Sequence, residues 1–454
     1  MAVATDQLVE RIWERDPSVW TGGDEGQWLG WLDEPRRMRE RIGDLQGFVE
    51  DVAAPGVIDT FVLLGMGGSS LAPIVLGKTF GASGLHVLDT THPAAIRRLH
   101  DELDLERTLF VASSKSGSTL ETRSHLDFFW EQAGKRGELF AAVTDPGSEL
   151  EQLAQERGFR RVFHGEPTIG GRYSALSAFG IVPAALIGID LERFLDRALE
   201  MAEACRLAEG NPGLELGIQF GEGWRDGRDK ICIDPHEGGF GLWAEQLIAE
   251  STGKQGKGLV PAPGESRDGP DRQRGEVRLE DPYELAQEFF RWEFAVAVAG
   301  SYLAINPFDQ PDVQAAKDRT KQVLQSGDVE PAPESSPDEL FAQADEGDYV
   351  SIQAFIDPER EGELRPLIDR ARQETGCVVT HGLGPRYLHS TGQLHKGGPN
   401  TGLFLQVVDD PGEELAIPDQ PFGFAQLIRA QAAGDFESLK ERGRRVARIR
   451  LDEI

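Results

Sequence analysis

LFVASSKSGSTLET, residues 109–122, opens as a short apolar run of β-forming side chains (Leu109, Phe110, Val111). It then breaks into Ser113, Ser114, Lys115, Ser116, Gly117, Ser118 and Thr119, and resumes with Leu120, Glu121 and Thr122 in a helix-compatible pattern. The order predicts strand, loop and helix N-terminus. A hydroxyl-rich loop entering a helix offers O–H donors and unpaired backbone N–H groups where the helix dipole also favours an anion, so a phosphate is the expected guest. Neither a dinucleotide G-x-G-x-x-G nor a Walker G-K-[ST] occurs in this stretch. An ordinary βα turn whose serines cap the helix would read the same way, so neighbouring stretches must decide the chemistry.

Outward from it the strand–helix alternation continues. Ile58 to Leu64 is an apolar run ending in GMGGSSLAP (65–73), a glycine cluster that lets backbone approach a ligand. Leu85 to Asp89 and Leu139 to Thr144 repeat the strand pattern, each followed by a helical one. PTIGGRYSALSAFGIVPAALIGID is a glycine turn into an apolar helix, and the pattern restarts at Lys230 to Ile233, with a helix at 242–254 and a polar, Pro- and Gly-rich loop to about 277. A helix from about Pro282 to Leu303 ends in INPFDQPDVQAAK (305–317). YVSIQAFI, a helix from about 360 to 375, VVTHGLG and GLFLQVV form a further β-α-β element, before a helix at Phe422 to Arg442 and a closing strand RVARIRL.

The expected fold class is α/β, with two doubly wound parallel-sheet lobes whose ligands sit at the carboxyl ends of the strands. The expected divisions are an N-terminal helical layer (1–52), a first lobe (53–205), a second lobe (206–325), an acidic Pro/Ser linker (326–347) and a C-terminal αβ extension (348–454).

Acidic residues outnumber basic ones by 77 to 47, a net charge of −30 that repels nucleic acid and anionic membranes. A few local cations still suffice for an anionic substrate. The cysteines Cys205, Cys232 and Cys377 are widely spaced, which points to a reducing, cytoplasmic setting without a disulfide or zinc cluster. No H-x-H or comparable metal cluster and no run of 18 apolar residues occurs, and the charged, amphipathic start MAVATDQLVERIWERD is not expected to be a signal peptide.

Five segments, GMGGSSLAP, SSKSGSTLET, GGRYSALSAFG (170–180), EQLIAESTGK (245–254) and INPFDQPDVQAAK, resemble in sequence and order those of the phosphoglucose isomerases, enzymes of the sugar isomerase (SIS) fold. WLDEP and YLHSTGQLHKGGP further resemble the isomerase half of fused transaldolase and glucose-6-phosphate isomerase proteins. The resemblance implies a cofactor-free aldose–ketose isomerase, a homodimer, interconverting glucose 6-phosphate and fructose 6-phosphate through an enediol. It implies that Glu250 is the base and Arg172, after Gly171, the cation beside the developing oxyanion, roles that a carboxylate and a permanently charged guanidinium suit. Ser114, Lys115, Ser116, Ser118 and Thr119 would take the phosphate, with Gly117 replacing the family's Phe. Gly68, Ser69, Gln246 and Gln310 would contact the sugar, and Lys317 would assist ring opening. Gln246 and Glu250, four apart on one helix, share a face.

In the family the ring-opening His lies between the Glu and the Lys and usually comes from the partner subunit. Here the interval from 237 to 380 contains no His, leaving His395 by its GQ-x-H context, then His389, as the candidates. Two alternatives are an isomerase that also accepts mannose 6-phosphate and a non-catalytic sugar-phosphate-binding protein.

Overall fold

A computed structural model describes residues 5–52, 58–327 and 329–454, with the side chains at 5, 6, 313–318 and 326 outside the description. The expected start of the first lobe at 53 and part of the linker at 328 therefore fall outside the described residues.

Five parallel strands form the first sheet: β1 (Thr60–Gly65), β2 (Leu85–Leu88), β3 (Thr108–Ser113), β4 (Phe140–Thr144) and β5 (Arg161–His164), in the order β2-β1-β3-β4-β5. All residues of β3 and β4 are buried, which explains why these strands read as apolar runs and not as alternating ones: helices cover both faces. The register pairs Gly65 with Ser113, so the glycine turn after β1 and the serine loop after β3 leave from one edge side by side.

Two further parallel sheets follow. β6 (Lys230–Ile233), β7 (Val260–Pro263) and β8 (Arg272–Gly275) run in the order β7-β6-β8, and β9 (Tyr349–Phe355), β10 (Val378–Leu383), β11 (Gly402–Val408) and β12 (Arg445–Arg450) in the order β10-β9-β11-β12. β7 lies against β10, yet the ladder is interrupted there. The reason is in β7 itself. Val260 and Gly264 donate their N–H groups to the Asp229 and Ile233 carbonyls on the β6 side, at 2.8 and 3.0 Å. Alternation turns the intervening positions towards β10, and those are Pro261 and Pro263, which have no N–H to give.

Three local expectations are corrected. The stretch from 255 to 277, expected as loop, contains β7 and β8, four-residue strands whose prolines and arginines conceal them from any periodicity. The helix expected over 360–375 begins as a 3₁₀ segment, Pro358–Leu364, and becomes α-helical only at Arg365–Thr375, with Pro366 at the start where a missing N–H costs nothing. Within the expected linker, Pro337–Phe341 is a helix capped reciprocally by Ser336 and Glu339, and its Leu340 and Phe341 are buried against the third sheet.

The N-terminal helices Thr5–Trp13, Glu34–Glu40 and Ile42–Val52 bury Leu8, Ile12, Met38, Ile42 and Leu45 in the main core. The C-terminal segment is clamped to the first lobe by a bidentate Arg386–Asp89 pair at 2.6 and 2.8 Å and by Arg98 on Asp357. That clamp brings residues 386–389 to the mouth of the first sheet.

Candidate functional site

The turn after β1 is shaped by two glycines. Gly67 has φ +55°, and a Cβ there would stand 2.5 Å from the His389 carbonyl; a Cβ on Gly68 would stand 2.1 Å from the Gly171 carbonyl. Only hydrogen at these positions lets three chain segments meet. Beside Gly171, Arg172 is 1% exposed in the 3₁₀ turn Gly171–Tyr173.

A cation this deeply buried needs full pairing. Arg172 donates from Nε to Ser251 Oγ (2.8 Å), from Nη1 to Gln310 Oε1 (3.0 Å), and from Nη2 to the carbonyls of Pro307 (2.7 Å) and Asp309 (2.9 Å). Its Nη1 also stands 3.3 Å from Glu250 Oε1. Glu250 lies on the helix Phe240–Thr252, one turn after Gln246, whose Nε2 donates to Glu250 Oε2 (2.9 Å) and to the His389 carbonyl (2.8 Å). Lys254, just past that helix, donates to Asn306 O and Asp309 Oδ1, both at 2.7 Å, and also to Asp309 O. Burial, with Arg172 adding to it, pulls the Lys254 ammonium down to about 8. Arg172 and Lys254 thus grip the 306–310 loop together and set Gln310 against the site.

The serine loop is held by its own hydroxyls. Ser114 Oγ meets Thr119 Oγ1 at 3.2 Å and accepts the Gly117 N–H at 3.1 Å, while Ser116 and Ser118 pair at 2.8 Å. Gly117 has φ +74° and stands so close to the next helix that a Cβ would lie 2.2 Å from the Leu150 nitrogen. The Thr119 side chain does not cap the helix Leu120–Gln132 that it precedes. Lys115 turns aside to Asp145 at 2.6 Å and the Glu166 carbonyl at 3.3 Å. Ser69 is buried in the neighbouring turn.

The two histidines separate here. His389 Nε2 is 3.0 Å from Glu121 Oε1, and its backbone meets Gln246 and Gly67, so it stands among the expected site residues. His395, on the short helix Gly392–Gly397, is buried against the third sheet, with Nδ1 3.0 Å from Gln353 Nε2 and Nε2 3.5 Å from Ser351 Oγ. Burial depresses its basicity well below the ordinary imidazole value and keeps it neutral. The structure therefore brings His389, not His395, to Glu121 and Gln246, and from the same chain as Glu250. Lys317 falls in the helix Val313–Ser326, and its side chain lies outside the described residues.

The sequence alone does not mark Glu121, Ser251 and Lys254 as site residues. Glu121 carries a signal only in hindsight: an acidic residue in a first helical turn is ordinarily a dipole partner, and its use by a histidine 268 positions away is invisible locally. A separate cavity of about 320 Å³ opens after β6, β7 and β10, with Glu245, Glu361, His381 and Arg386 on its wall and neither Glu250 nor Arg172. Burial pushes the Glu245 carboxyl up to about 8.

Residues 36–211 match the family model of phosphoglucose isomerase. Among curated proteins, the chain is 34% identical over 266 residues to a glucose-6-phosphate isomerase of Gloeothece citriformis, covering 51% of this chain and 50% of that one. It is 32% identical over 286 residues to one of Thermosynechococcus vestitus, covering 56% and 54%. The chain thus spans about half the length of the curated relatives it matches. A crystal structure of a glucose-6-phosphate isomerase from Chlamydia trachomatis superposes with a TM-score of 0.55 at 20% identity, over 64% of this chain and 74% of that one, a likeness of fold. The family match takes in Gly68, the serine loop and Arg172 and stops before Glu250. Across its first lobe, and with it the Gly68-to-Arg172 half of the site, the chain carries the sequence pattern of the phosphoglucose isomerase family.

Proposed function

We propose that this chain is a cofactor-free aldose–ketose isomerase acting on glucose 6-phosphate and fructose 6-phosphate, working in the cytoplasm as a homodimer. The observation that carries this is the meeting of Glu250 with Arg172 at 3.3 Å, beside Gln246 and His389. Moving a proton between C2 and C1 requires a carboxylate over the carbon acid and a fixed positive charge where the enediol oxygens develop. In the forward direction Glu250 removes the C2 proton as the C1 carbonyl becomes an enediol oxygen. Return of that proton to C1, with the C2 oxygen becoming the carbonyl, gives the ketose. Arg172 stabilises charge without becoming a competing acid, because its guanidinium stays protonated.

The hydroxyls of Ser114, Ser116, Ser118 and Thr119 and the N–H groups that open the helix Leu120–Gln132 would hold the phosphate at the carboxyl end of β3. Lys115 would add charge there if it leaves Asp145. Gly68, Ser69, Gly171, Gln246 and Gln310 would border the sugar, His389 paired to Glu121 would exchange the ring proton, and Lys317 would assist it. The test is turnover of fructose 6-phosphate by the purified protein in the presence of chelator, with glucose 6-phosphate read through its dehydrogenase. Turnover that survives chelation supports the proposal. Binding of fructose 6-phosphate without turnover would reduce the chain to a sugar phosphate sensor.

A further inference from the structure

We propose that Gln431 is a positioning residue for ring opening: its side-chain amide, braced by Thr91, holds the Glu121 carboxylate against His389. The kinetic consequence rests on the isomerase activity proposed above; the hydrogen-bonded chain does not.

Four distant parts of the sequence supply the chain. Thr91 follows β2, Glu121 is in the first turn of the helix Leu120–Gln132, His389 ends a 3₁₀ turn, and Gln431 is on the helix Phe424–Glu441. Thr91 Oγ1 donates to Gln431 Oε1 at 2.6 Å, Gln431 Nε2 donates to Glu121 Oε1 at 2.8 Å, and His389 Nε2 lies 3.0 Å from that same oxygen. Thr91, Gln431 and Glu121 are all buried.

The amide can take only one orientation. Flipped, it would set its oxygen against a carboxylate oxygen inside the protein, leaving two acceptors facing each other with no hydrogen between them. As built, it offers the carboxylate a directed donor and leaves that oxygen able to accept from His389 as well. With Glu121 as acceptor, the His389 hydrogen sits on Nε2 and the lone pair on Nδ1, the tautomer choice that second partners commonly impose on working histidines. Thr91 contributes by committing the amide oxygen. An apolar side chain at 431 would fill the space but take away the directed donor that orients the carboxylate towards His389, and the imidazole would lose its imposed tautomer.

The experiment uses the full chain with Gln431→Met and Gln431→Glu. Two substrates are compared by proton NMR: glucose 6-phosphate, which is ring-closed in solution, and 5-deoxyfructose 6-phosphate, which lacks the hydroxyl that closes a furanose. For Gln431→Met we expect kcat on glucose 6-phosphate to fall ~10-fold or more with KM nearly unchanged, and the open-chain substrate to be processed within about 2-fold of the unaltered protein. Gln431→Glu, close in shape, should work while its new carboxyl is protonated and can still donate to Glu121, and should lose ring opening as rising pH ionises it. Nitrogen-15 spectra of His389, assigned by its loss in His389→Asn, should show the Nε2–H tautomer in the unaltered protein and a mixture in Gln431→Met. Equal losses on both substrates, or an unchanged tautomer in Gln431→Met, would overturn the proposal. If the unaltered protein turns over neither sugar, the isomerase proposal fails and the His389 spectrum alone decides this one. If Gln431→Met does not fold, the pH dependence of Gln431→Glu decides it, and a flat ratio between the two substrates counts against.

Discussion

Arg172 Nη1 stands 3.3 Å from Glu250 Oε1, and the other groups of that guanidinium are committed to Ser251 and to the 307–310 loop. The cation is thus fixed by the fold, while Glu250 is held laterally by Gln246 and keeps 14% of its side chain exposed. The role of base proposed for Glu250, giving and taking a proton, needs that combination of placement and access.

Glu250→Gln keeps the shape and the Gln246 contact but removes the base. We expect kcat for fructose 6-phosphate to fall by ~10³-fold, within the range general bases contribute, with the dissociation constant of the sugar phosphate altered little. Steady-state kinetics beside calorimetric binding checks this, and near-normal turnover would remove Glu250 from its role.

Arg172→Lys retains a charge but cannot reach Ser251, Pro307, Asp309 and Gln310 at once. The expected result is a loss of ~10²-fold or more in kcat together with a fall in stability of about 2 kcal/mol, because buried carbonyls lose their donors. Denaturant titration and kinetics on one preparation test both halves.

Gly117→Ala must place a Cβ 2.2 Å from the Leu150 nitrogen at a left-handed φ of +74°. The loop should shift, costing on the order of 1–3 kcal/mol and weakening inorganic phosphate as a competitive inhibitor more than it weakens a phosphate-free sugar alcohol. Unchanged phosphate inhibition would place the anion elsewhere.

His389→Ala and His395→Ala should fail in different ways. His389→Ala is expected to spare the fold and lose ~10²-fold in rate on ring-closed substrate. His395→Ala removes a buried neutral ring bonded to Gln353 and packed on Phe404, and should cost about 2–4 kcal/mol of stability. Melting curves beside progress curves for the two variants distinguish these outcomes, and reversed phenotypes would exchange the roles.

The cavity lined by Glu245 and His381 predicts a pH dependence of stability. Glu245 sits at about 8 in the folded protein, pushed up chiefly by burial, against 4.5 for an ordinary carboxyl. The folded state therefore holds this proton more tightly than the unfolded one, and its contribution is full below pH 4.5 and lost as pH rises through about 8. His381, raised chiefly by its hydrogen bond to Glu361, acts in the same direction above neutrality. Unfolding free energy should fall by on the order of 2–3 kcal/mol between about pH 5 and pH 9, and Glu245→Gln should flatten the decline. A parallel slope in both proteins would clear Glu245 of the effect.

Much of this was legible in the chain itself. Strands β1, β3, β4, β6, β9 and β11 announce themselves as apolar runs because both faces of a parallel sheet are covered, and period and length then suffice. β7 and β8 did not, because VPAP and RQRG are short and pair on one side only, so neither pattern nor propensity marks them. Gln246 and Glu250 were legible together because a helix places residues four apart on one face whatever surrounds it.

By itself the sequence determined the parallel α/β class and marked the hydroxyl-rich loop at 113–119 as a candidate anion site, both from local spacing, while it offered Gly68, Arg172, Gln246 and Glu250 as site candidates through motifs contiguous in the chain. Only the tertiary structure separated His389 from His395, six positions apart in one segment, placing the first beside Glu121 and the second against the third sheet. That separation depends on the Arg386–Asp89 clamp, which carries His389 to Glu121 across 268 residues, while Gln353 and Ser351 hold His395 against a sheet. Hydrogen-bond partners so far apart in the chain are set by packing between lobes, and no local pattern encodes them.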